Sequence, residues 1–236
     1  SKGRLYHYKE TKQELGNVVI TVTERSAITY STTTGQMTGF TEDVTKTESS
    51  PVHTVRANME YNPLGQLSYY LDTITTTTGS TNLATYVAFG ASDVTITDSN
   101  NNKLVDTGEL TVIKSAPTYD SFGRLGDYTE TRREIDKTDL TKLNVKTQTH
   151  RFGINGSGNI SYDNTTGQMI KYREVVTKDG TATITTDRQI GNGILASTGY
   201  NTLGQLKSYT DTITSTSTTD VVTVNFDATF ADAYDS

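Results

Sequence analysis

Residues 98–109 are the part of the sequence whose residue types and spacing best match a metal-binding loop. Side chains with oxygen atoms occupy loop positions 1, 3, 5, 9 and 12, the spacing found in calcium loops: Asp98, Asn100, Asn102, Asp106 and Glu109. Lys103 stands where such loops normally have glycine, and the flanking segments have strand-like rather than helical patterns. The sequence therefore leaves two interpretations open, a calcium site or a polar loop between strands, and predicts no other cofactor.

Three asparagines lie in acceptor patterns for N-linked sugar, Asn-x-Ser/Thr. They are Asn155, Asn159 and Asn164, and all three fall in an insertion that lengthens the second half of the chain. The threonine-rich runs 75–78 and 212–219 are candidates for O-linked sugar if the protein is exported, although β-strand propensity also accounts for them. These positions are therefore modification candidates.

Catalytic chemistry has little support in this sequence. Its three histidines, His7, His53 and His150, lie in different contexts, and there is no cysteine to act as a nucleophile. Its most regular acids recur at one place in a repeated unit: Glu10, Glu42, Asp72, Glu130, Glu174 and Asp211. Equivalent acids in every unit indicate a structural role, with pairing to nearby Arg or Lys, so we expect a non-enzymatic protein.

The elements that must position these side chains are set by an internal repeat. Each copy has a tyrosine, a few polar residues, glycine, Gln or Arg, Leu or Met, and then an aromatic residue followed two positions later by an acid. The glycines are Gly3, Gly35, Gly65, Gly123, Gly167 and Gly204. The tyrosines that open a unit are Tyr30, Tyr61, Tyr119, Tyr162, Tyr200 and Tyr234. The order Arg-Leu, Gln-Met, Gln-Leu occurs twice, which predicts two three-unit modules, residues 1–120 and 121–236.

The repeat predicts an all-β fold made of tandem stacked hairpins. Asn, Asp or Ser before small residues favours a tight turn, and glycine supplies the positive φ that closes it. Each unit has only a thin apolar stripe, so neighbouring units must stack to be stable. Hydrophobic residues make up 33% of the chain and tryptophan is absent, while threonine is abundant. We expect an elongated repeat or sandwich-like module with little or no helix.

Charge and hydropathy exclude two classes of partner. The formal net charge of −6 argues against nucleic acid, because binding to phosphates requires a basic surface. No apolar stretch is long enough to span a membrane, and the lack of cysteine excludes disulfides and thiolate metal sites. The expected partners are therefore copies of the chain itself and, as an alternative, glycans.

The two ends of the sequence are complementary in pattern. Residues 234–236 read as the opening of a unit, and residues 1–5 read as its remainder. We expect either one period of a longer covalent repeat or subunits that complete each other head to tail, an arrangement that gives an open filament. The longer covalent repeat is the favoured interpretation.

Residues 119–125, Tyr-Asp-Ser-Phe-Gly-Arg-Leu, resemble the YD repeat of bacterial Rhs and teneurin-type proteins. The other copies carry Gln for Arg and Asn or Ser for Asp, and with their threonine-rich spacers they look more like repeats of giant adhesin-like bacterial surface proteins. The resemblance covers nearly the whole chain but only about a dozen residues per unit. It implies an extracellular or cell-surface structural protein. In the Rhs family such hairpins form a shell around a toxin.

The functional prediction from the sequence is a structural repeat unit of an extracellular bacterial fibre or giant surface protein, assembling head to tail. A carbohydrate-binding adhesin is the first alternative, with Tyr69, Tyr70 and Tyr209 as exposed rings that stack on sugars. A segment of a toxin-enclosing shell is the second.

Overall fold

The computed structural model describes residues 3–13, 20–47, 49–78, 81–103, 105, 108–154 and 158–228. Its strands form antiparallel sheets, and the described residues include no α-helix, only short 3₁₀ turns such as Ala196–Thr198. The predicted all-β fold class is confirmed. Among the residues singled out from the sequence, Asp106, Asn155 and Tyr234 lie outside the described residues.

The chain divides into two compact units. The first comprises Ser1–Ala116 and Glu130–Lys146, and the second comprises Pro117–Thr129 and Thr147–Ser236. The sequence places the module boundary at residue 120. Residues 130–136 nevertheless belong to the first unit, because they continue its sheet by pairing with residues 83–89.

Strands of the first unit form a meander in which each strand pairs with the next one along the chain. The sheet order is β1-β2-β3-β4-β5-β6, followed by residues 130–136 of β10, while β7 and β8 form a separate hairpin. The strands are β1 Tyr8–Gln13, β2 Ile20–Tyr30, β3 Met37–Lys46, β4 Val52–Tyr61, β5 Leu67–Thr78, β6 Thr81–Phe89, β7 Ala91–Ile96 and β8 Leu110–Lys114.

The second unit repeats the meander in the order β10-β11-β13-β14-β15-β16. Two short strands, β9 and β12, pair with β10 and β13. The strands are β9 Thr118–Tyr119, β10 Leu125–Asp136, β11 Asn144–Phe152, β12 Ser161–Tyr162, β13 Met169–Lys178, β14 Ile184–Ile190, β15 Ser208–Ser215 and β16 Val221–Asp227. Their threonine and β-branched residues suit a pleated surface that is covered on only part of its area.

The two units differ just before the opening tyrosine of a hairpin. In the first unit, β2 and β4 continue through β-bulges, where Ala27 and Asn58 have φ values of 49° and 56° and the register shifts. In the second unit the ladder is interrupted at the same place: β11 ends at Phe152 and β12 begins at Ser161, and residues 191–199 leave the sheet before Tyr200. A bulge and a loop insertion thus occupy equivalent sites, as expected of positions where a ladder is already interrupted.

An apolar core cluster lies in the first unit, where the β7–β8 hairpin packs on one face of the sheet. Tyr69, Tyr86 and Ile135 from the sheet are buried with Val94 of the hairpin. Thr131, also fully buried, donates its hydroxyl to the carbonyl of Ala91 at 2.9 Å, so its polar group is satisfied inside the core.

Candidate functional site: the contacts between hairpin units

The polar residue after the opening tyrosine organises each turn. Asn62 Oδ1 accepts hydrogen bonds from the backbone amides of Leu64 and Gln66, both at 3.0 Å, and its amide nitrogen donates to Gln66 Oε1 at 2.6 Å. Asn201 and Gln205 repeat this arrangement in the second unit. Asn and Asp favour such turns because their side chains reach the backbone two residues on. The motif thus couples the residue after tyrosine to the residue after glycine.

In the turn that most resembles a YD repeat, the same coupling is ionic. Asp120 Oδ1 accepts from the amides of Phe122 and Arg124, both at 2.9 Å, and Oδ2 accepts from Arg124 Nε at 2.6 Å. These bonds to Arg124 and Phe122 lower the pKa of Asp120 against the opposing effect of desolvation, which is the largest single contribution. The Asp and Arg of the YD motif therefore form an ion pair within one turn.

Two of the turn glycines, Gly35 and Gly65, leave room for a side chain of the preceding unit as well as closing the turn. All six have φ between 63° and 82°, a region that favours glycine. A Cβ on Gly35 would lie 2.7 Å from Arg4 Nη2, and one on Gly65 would lie 3.3 Å from Gln36 Nε2. Arg4 and Gln36 therefore reach over the glycine of the next unit, whereas a Cβ on Gly167 would meet nothing within 4 Å.

Opening tyrosines join consecutive hairpins through their hydroxyl groups. In each case the hydroxyl donates to the carbonyl of the Leu or Met that lies two residues after the glycine of the preceding unit. The bonds are Tyr30 to Leu5 at 2.7 Å, Tyr61 to Met37 at 2.9 Å, Tyr162 to Leu125 at 2.7 Å and Tyr200 to Met169 at 2.9 Å. Burial raises the pKa of Tyr61, Tyr162 and Tyr200, so the hydroxyls keep the proton that they donate.

The repeated acids form ion pairs with arginines on the neighbouring strand. Four pairs of this kind are directly opposite each other in the sheet: Arg25 with Glu42, Arg56 with Asp72, Arg151 with Glu174, and Arg188 with Asp211. The Arg56 and Arg188 pairs are bidentate, with N–O distances between 2.6 and 2.7 Å. Hydrogen bonding to the aspartate raises the pKa of each of these two guanidinium groups.

Each of these arginines also lies over aromatic rings of the repeat. Arg56 is 3.8 Å from the centroid of Tyr70 and 5.3 Å from that of Phe40. Arg188 is 4.1 Å from Tyr209 and 5.9 Å from Tyr172. Guanidinium groups at such distances are attracted to the ring face. The same geometry in both units indicates that it belongs to the repeat.

We call the resulting rows the arginine–aromatic ladders, one in each unit. The first consists of Tyr8, Arg25, Phe40, Arg56, Tyr70 and Phe89, and the second of Tyr128, Arg151, Tyr172, Arg188, Tyr209 and Phe226. Each ends in two stacked rings, with centroids 5.5 Å apart for Tyr70 and Phe89 and 5.1 Å apart for Tyr209 and Phe226. Six residue positions thus recur in the same order in both units.

The repeat motif in the sequence contains the other aromatic residues of these ladders and the acids that pair with the arginines, but not the arginines themselves or the closing phenylalanines. A signal for the arginines is present in the first half, where Arg25 and Arg56 each stand five residues before an opening tyrosine. In the second half the inserted residues 153–160 and 191–199 separate the arginines from their tyrosines in the sequence and hide this spacing.

Residues of the predicted calcium loop bond mainly to backbone. Asp98 accepts from the amides of Asn102 and Lys103 at 2.9 and 2.7 Å, and Asn100 accepts from Asn102 at 3.1 Å. Glu109 is buried and accepts from the amide and hydroxyl of Ser99. Within the described residues, which exclude Asp106, no three His, Asp or Glu side chains gather as metal ligands. The loop closes on itself through these bonds, and calcium binding stays a prediction.

The two described glycosylation candidates lie at the surface. Asn159 is exposed and its Oδ1 accepts from Thr118 Oγ1 at 3.0 Å. Asn164 is exposed in a turn and accepts from Arg124 Nη2 at 3.3 Å. Both bonds use the amide oxygen rather than the nitrogen to which sugar is attached, and modification stays a prediction.

The expectation that Tyr69, Tyr70 and Tyr209 are exposed sugar-stacking rings needs correction. Tyr69 is wrong, because its side chain is buried in the core of the first unit. Tyr70 and Tyr209 are half-buried, and each has one ring partner and one guanidinium beside it in its ladder. These rings are used mainly in packing within the sheet.

Comparison with family models, curated proteins and solved structures finds no match to this chain. The resemblance to YD repeats therefore rests on the motif residues alone. A search of the described residues finds no helix with the length and apolar character needed to cross a membrane.

Proposed function

We propose that the chain is a structural repeat module of an extracellular bacterial fibre or giant surface protein, assembling head to tail with further copies of itself. The observation that supports this most strongly is the tyrosine hydroxyl bond to the preceding hairpin, made four times with the same partners in the motif. The residues that define the motif are thus engaged in joining one hairpin to the next.

Energetics favour the same role. A single hydrogen bond contributes about 0.5–1.5 kcal/mol net, and an arginine over a ring contributes about 0.5–1 kcal/mol at a partly exposed site. Neither is large alone, but a linear array adds such nearest-neighbour contributions along its length. A chain with few apolar residues gains stability in this way by extending its row of hairpins.

The extracellular location belongs to the same proposal. It is supported by the similarity of residues 119–125 to the YD repeat and by the threonine-rich strands. A repeating sheet with many hydroxyl groups on its surface remains hydrated along its length, which suits a fibre in contact with water.

An antibody against the chain, applied to intact cells that produce it and viewed with gold in an electron microscope, tests this function. The proposal predicts label along fibres or a surface layer outside the cell, and loss of label after the antibody is absorbed with purified chain. Label that appears only inside permeabilised cells would reject the proposal.

A further inference from the structure

The pairing of β6 with β10 shows how the sheet continues after the three hairpins of the first module. Strand β10, which comes from the next module, adds to the sheet beside β6. The two strands are antiparallel, with Phe89 opposite Glu130, Ala88 opposite Thr131 and Val87 opposite Arg132. Both segments belong to the first unit. This junction is therefore a template for the pairing of a strand that comes after the third hairpin of a module.

In the second unit, strand β16 corresponds to strand β6 of the first unit. Phe226 stands opposite Tyr209 as Phe89 stands opposite Tyr70, and both pairs are stacked. Two residues further along the strands, Val224 lies opposite Asp211 as Val87 lies opposite Asp72. The equivalence thus extends to the register of the strands and is not limited to residue type.

Strand β1 corresponds to the part of β10 that pairs with β6. Tyr8, Glu10, Thr11 and Lys12 match Tyr128, Glu130, Thr131 and Arg132 in order and spacing. The opening rings of the two ladders, Tyr8 and Tyr128, hold the same position beside Arg25 and Arg151. The first strand of the chain therefore has the residue pattern of a strand that receives β6.

Both strands stand at the end of the sheet order in the described part of the chain. Three valines of β16 are exposed, Val221 by 60%, Val222 by 53% and Val224 by 41%. Exposed apolar edge strands are templates for pairing with another chain, and natural proteins usually protect them. Five of the six residues of β1 are exposed as well, which leaves its surface accessible.

We propose that β16 of one copy pairs antiparallel with β1 of a second copy, with Phe226 opposite Glu10, Asn225 opposite Thr11 and Val224 opposite Lys12. This inference rests on the proposed head-to-tail assembly and specifies its contact. The partner is another copy of this chain, and its β1 supplies backbone hydrogen bonds along the valine-rich edge. The aliphatic part of the Lys12 side chain covers Val224, as the register of Val87 and Arg132 indicates.

Disulfide trapping tests the register, because the chain has no cysteine of its own. Directly opposite residues in an antiparallel pair have Cα atoms about 4.5–5.5 Å apart, within the range that a disulfide bridges. Chains with Asn225→Cys are mixed with chains with Thr11→Cys under oxidising conditions. In the matched control, chains with Lys9→Cys are used in place of chains with Thr11→Cys. Lys9 would be the diagonal neighbour of Asn225, and such neighbours are about 7–8 Å apart.

The inference predicts a covalent dimer on a non-reducing gel for the Asn225→Cys and Thr11→Cys mixture, and little for the Lys9→Cys control. A chain with both Thr210→Cys and Asn225→Cys checks that position 225 reacts, because these residues are opposite each other within β15 and β16. Oligomers that form without the predicted cross-link, or with the control cross-link instead, overturn the register and leave head-to-tail assembly standing. Absence of both oligomer and cross-link rejects assembly as well.

A charge substitution provides an independent test. Val224→Lys places a lysine opposite Lys12 of the next copy, and like charges directly opposite each other weaken a strand pair. Association should weaken about threefold or more, and it should recover when the partner copy carries Lys12→Glu. Val224 is 41% exposed in the single chain, and the circular dichroism spectrum of the Val224→Lys chain checks that its fold is unchanged. Unchanged association of the Val224→Lys chain would overturn the register.

Discussion

At the scale of single residues, the opening tyrosines combine two contacts. The rings of Tyr30 and Tyr162 lie 5.3 and 4.6 Å from the guanidinium groups of Arg4 and Arg124 in the preceding unit, and the hydroxyls donate to a carbonyl of that same unit. Phenylalanine would retain the ring but remove the hydroxyl donor to that carbonyl. The requirement for tyrosine rather than any aromatic residue therefore follows from the hydroxyl.

Replacement of Tyr61 by phenylalanine isolates this hydroxyl. We expect Tyr61→Phe to lower the free energy of unfolding by about 1 kcal/mol, the usual net value of one hydrogen bond. Urea denaturation followed by circular dichroism measures the change. Tyr6, which is 60% exposed, supplies the control, and Tyr6→Phe should leave the unfolding free energy unchanged. Equal effects of the two substitutions would contradict a role for the Tyr61 hydroxyl.

Buried and half-buried tyrosines also set the response of the protein to alkaline pH. Desolvation raises the pKa of seven described tyrosines: Tyr61, Tyr69, Tyr86, Tyr119, Tyr162, Tyr172 and Tyr200. A raised folded-state pKa adds stability that is complete below the unfolded value of about 10 and is lost as pH rises through the folded value.

The ultraviolet absorbance of phenolate follows this titration without interference, because tryptophan is absent. We expect the exposed tyrosines to ionise first, and the buried set to ionise later, together with the loss of the β circular dichroism signal. Ionisation of all tyrosines in one step at about pH 10, with the fold intact, would contradict the buried hydroxyl bonds.

At the scale of the hairpin, a turn glycine can be required for two reasons: its positive φ, and the close approach of a side chain from the preceding unit. Gly35 and Gly167 have nearly equal φ values of 77° and 74°, but a Cβ on Gly35 would lie 2.7 Å from Arg4 Nη2 whereas one on Gly167 meets nothing within 4 Å. Substitution at Gly167 therefore measures backbone strain alone, whereas substitution at Gly35 measures backbone strain together with the contact between units.

We expect Gly167→Ala to lower stability by about 1–2 kcal/mol from the left-handed backbone alone. Gly35→Ala should cost the same amount and an additional increment, since the Arg4 side chain must move away from the turn. Thermal unfolding of the two variants side by side measures the difference. Equal losses would show that the side chain of Arg4 is not held over Gly35.

The ion pairs between strands differ strongly in burial, which gives a matched comparison. The side chain of Asp211 is 8% exposed beneath Arg188, whereas Lys9 and Glu24 are 57% and 42% exposed. Loss of the guanidinium leaves a buried carboxylate without its partner, while loss of an exposed partner leaves a hydrated one.

Arg188→Met should therefore lower the unfolding free energy by about 2–3 kcal/mol, and Lys9→Met by less than about 0.5 kcal/mol. Adding Asp211→Leu to Arg188→Met should restore part of the loss, because the unpaired carboxylate is removed. Chemical denaturation of the three variants measures these values. A loss for Lys9→Met as large as that for Arg188→Met would contradict the importance of the ladder.

The hairpin is the feature that is easiest to predict from the sequence, because Tyr, Gly and the next Leu or Met lie close together in the chain and form one turn. The partners of the repeated acids are harder to identify, since Arg188 and Asp211 are separated by 23 residues and meet only when the strands align. Burial of Tyr69 is also hidden, because it depends on the β7–β8 hairpin that covers one sheet face in the first unit.

At the scale of the whole molecule, the two units share the sequence motif and also the side-chain contacts that the motif residues make. Each unit contains one arginine–aromatic ladder with the same order of residues, and β16 and β1 carry the patterns of strands that pair inside the first unit. A repeat in which every contact is made to a neighbouring hairpin has no internal limit on its length. Heterologous contacts of this kind give open polymers rather than closed pairs.

Sedimentation velocity of the purified chain over a range of concentrations tests head-to-tail assembly most directly. Head-to-tail assembly predicts a series of species that grows steadily with concentration and that shifts to smaller species when Val224→Lys blocks the edge of β16. A single monomer, or a dimer that stops growing at all concentrations, would contradict it.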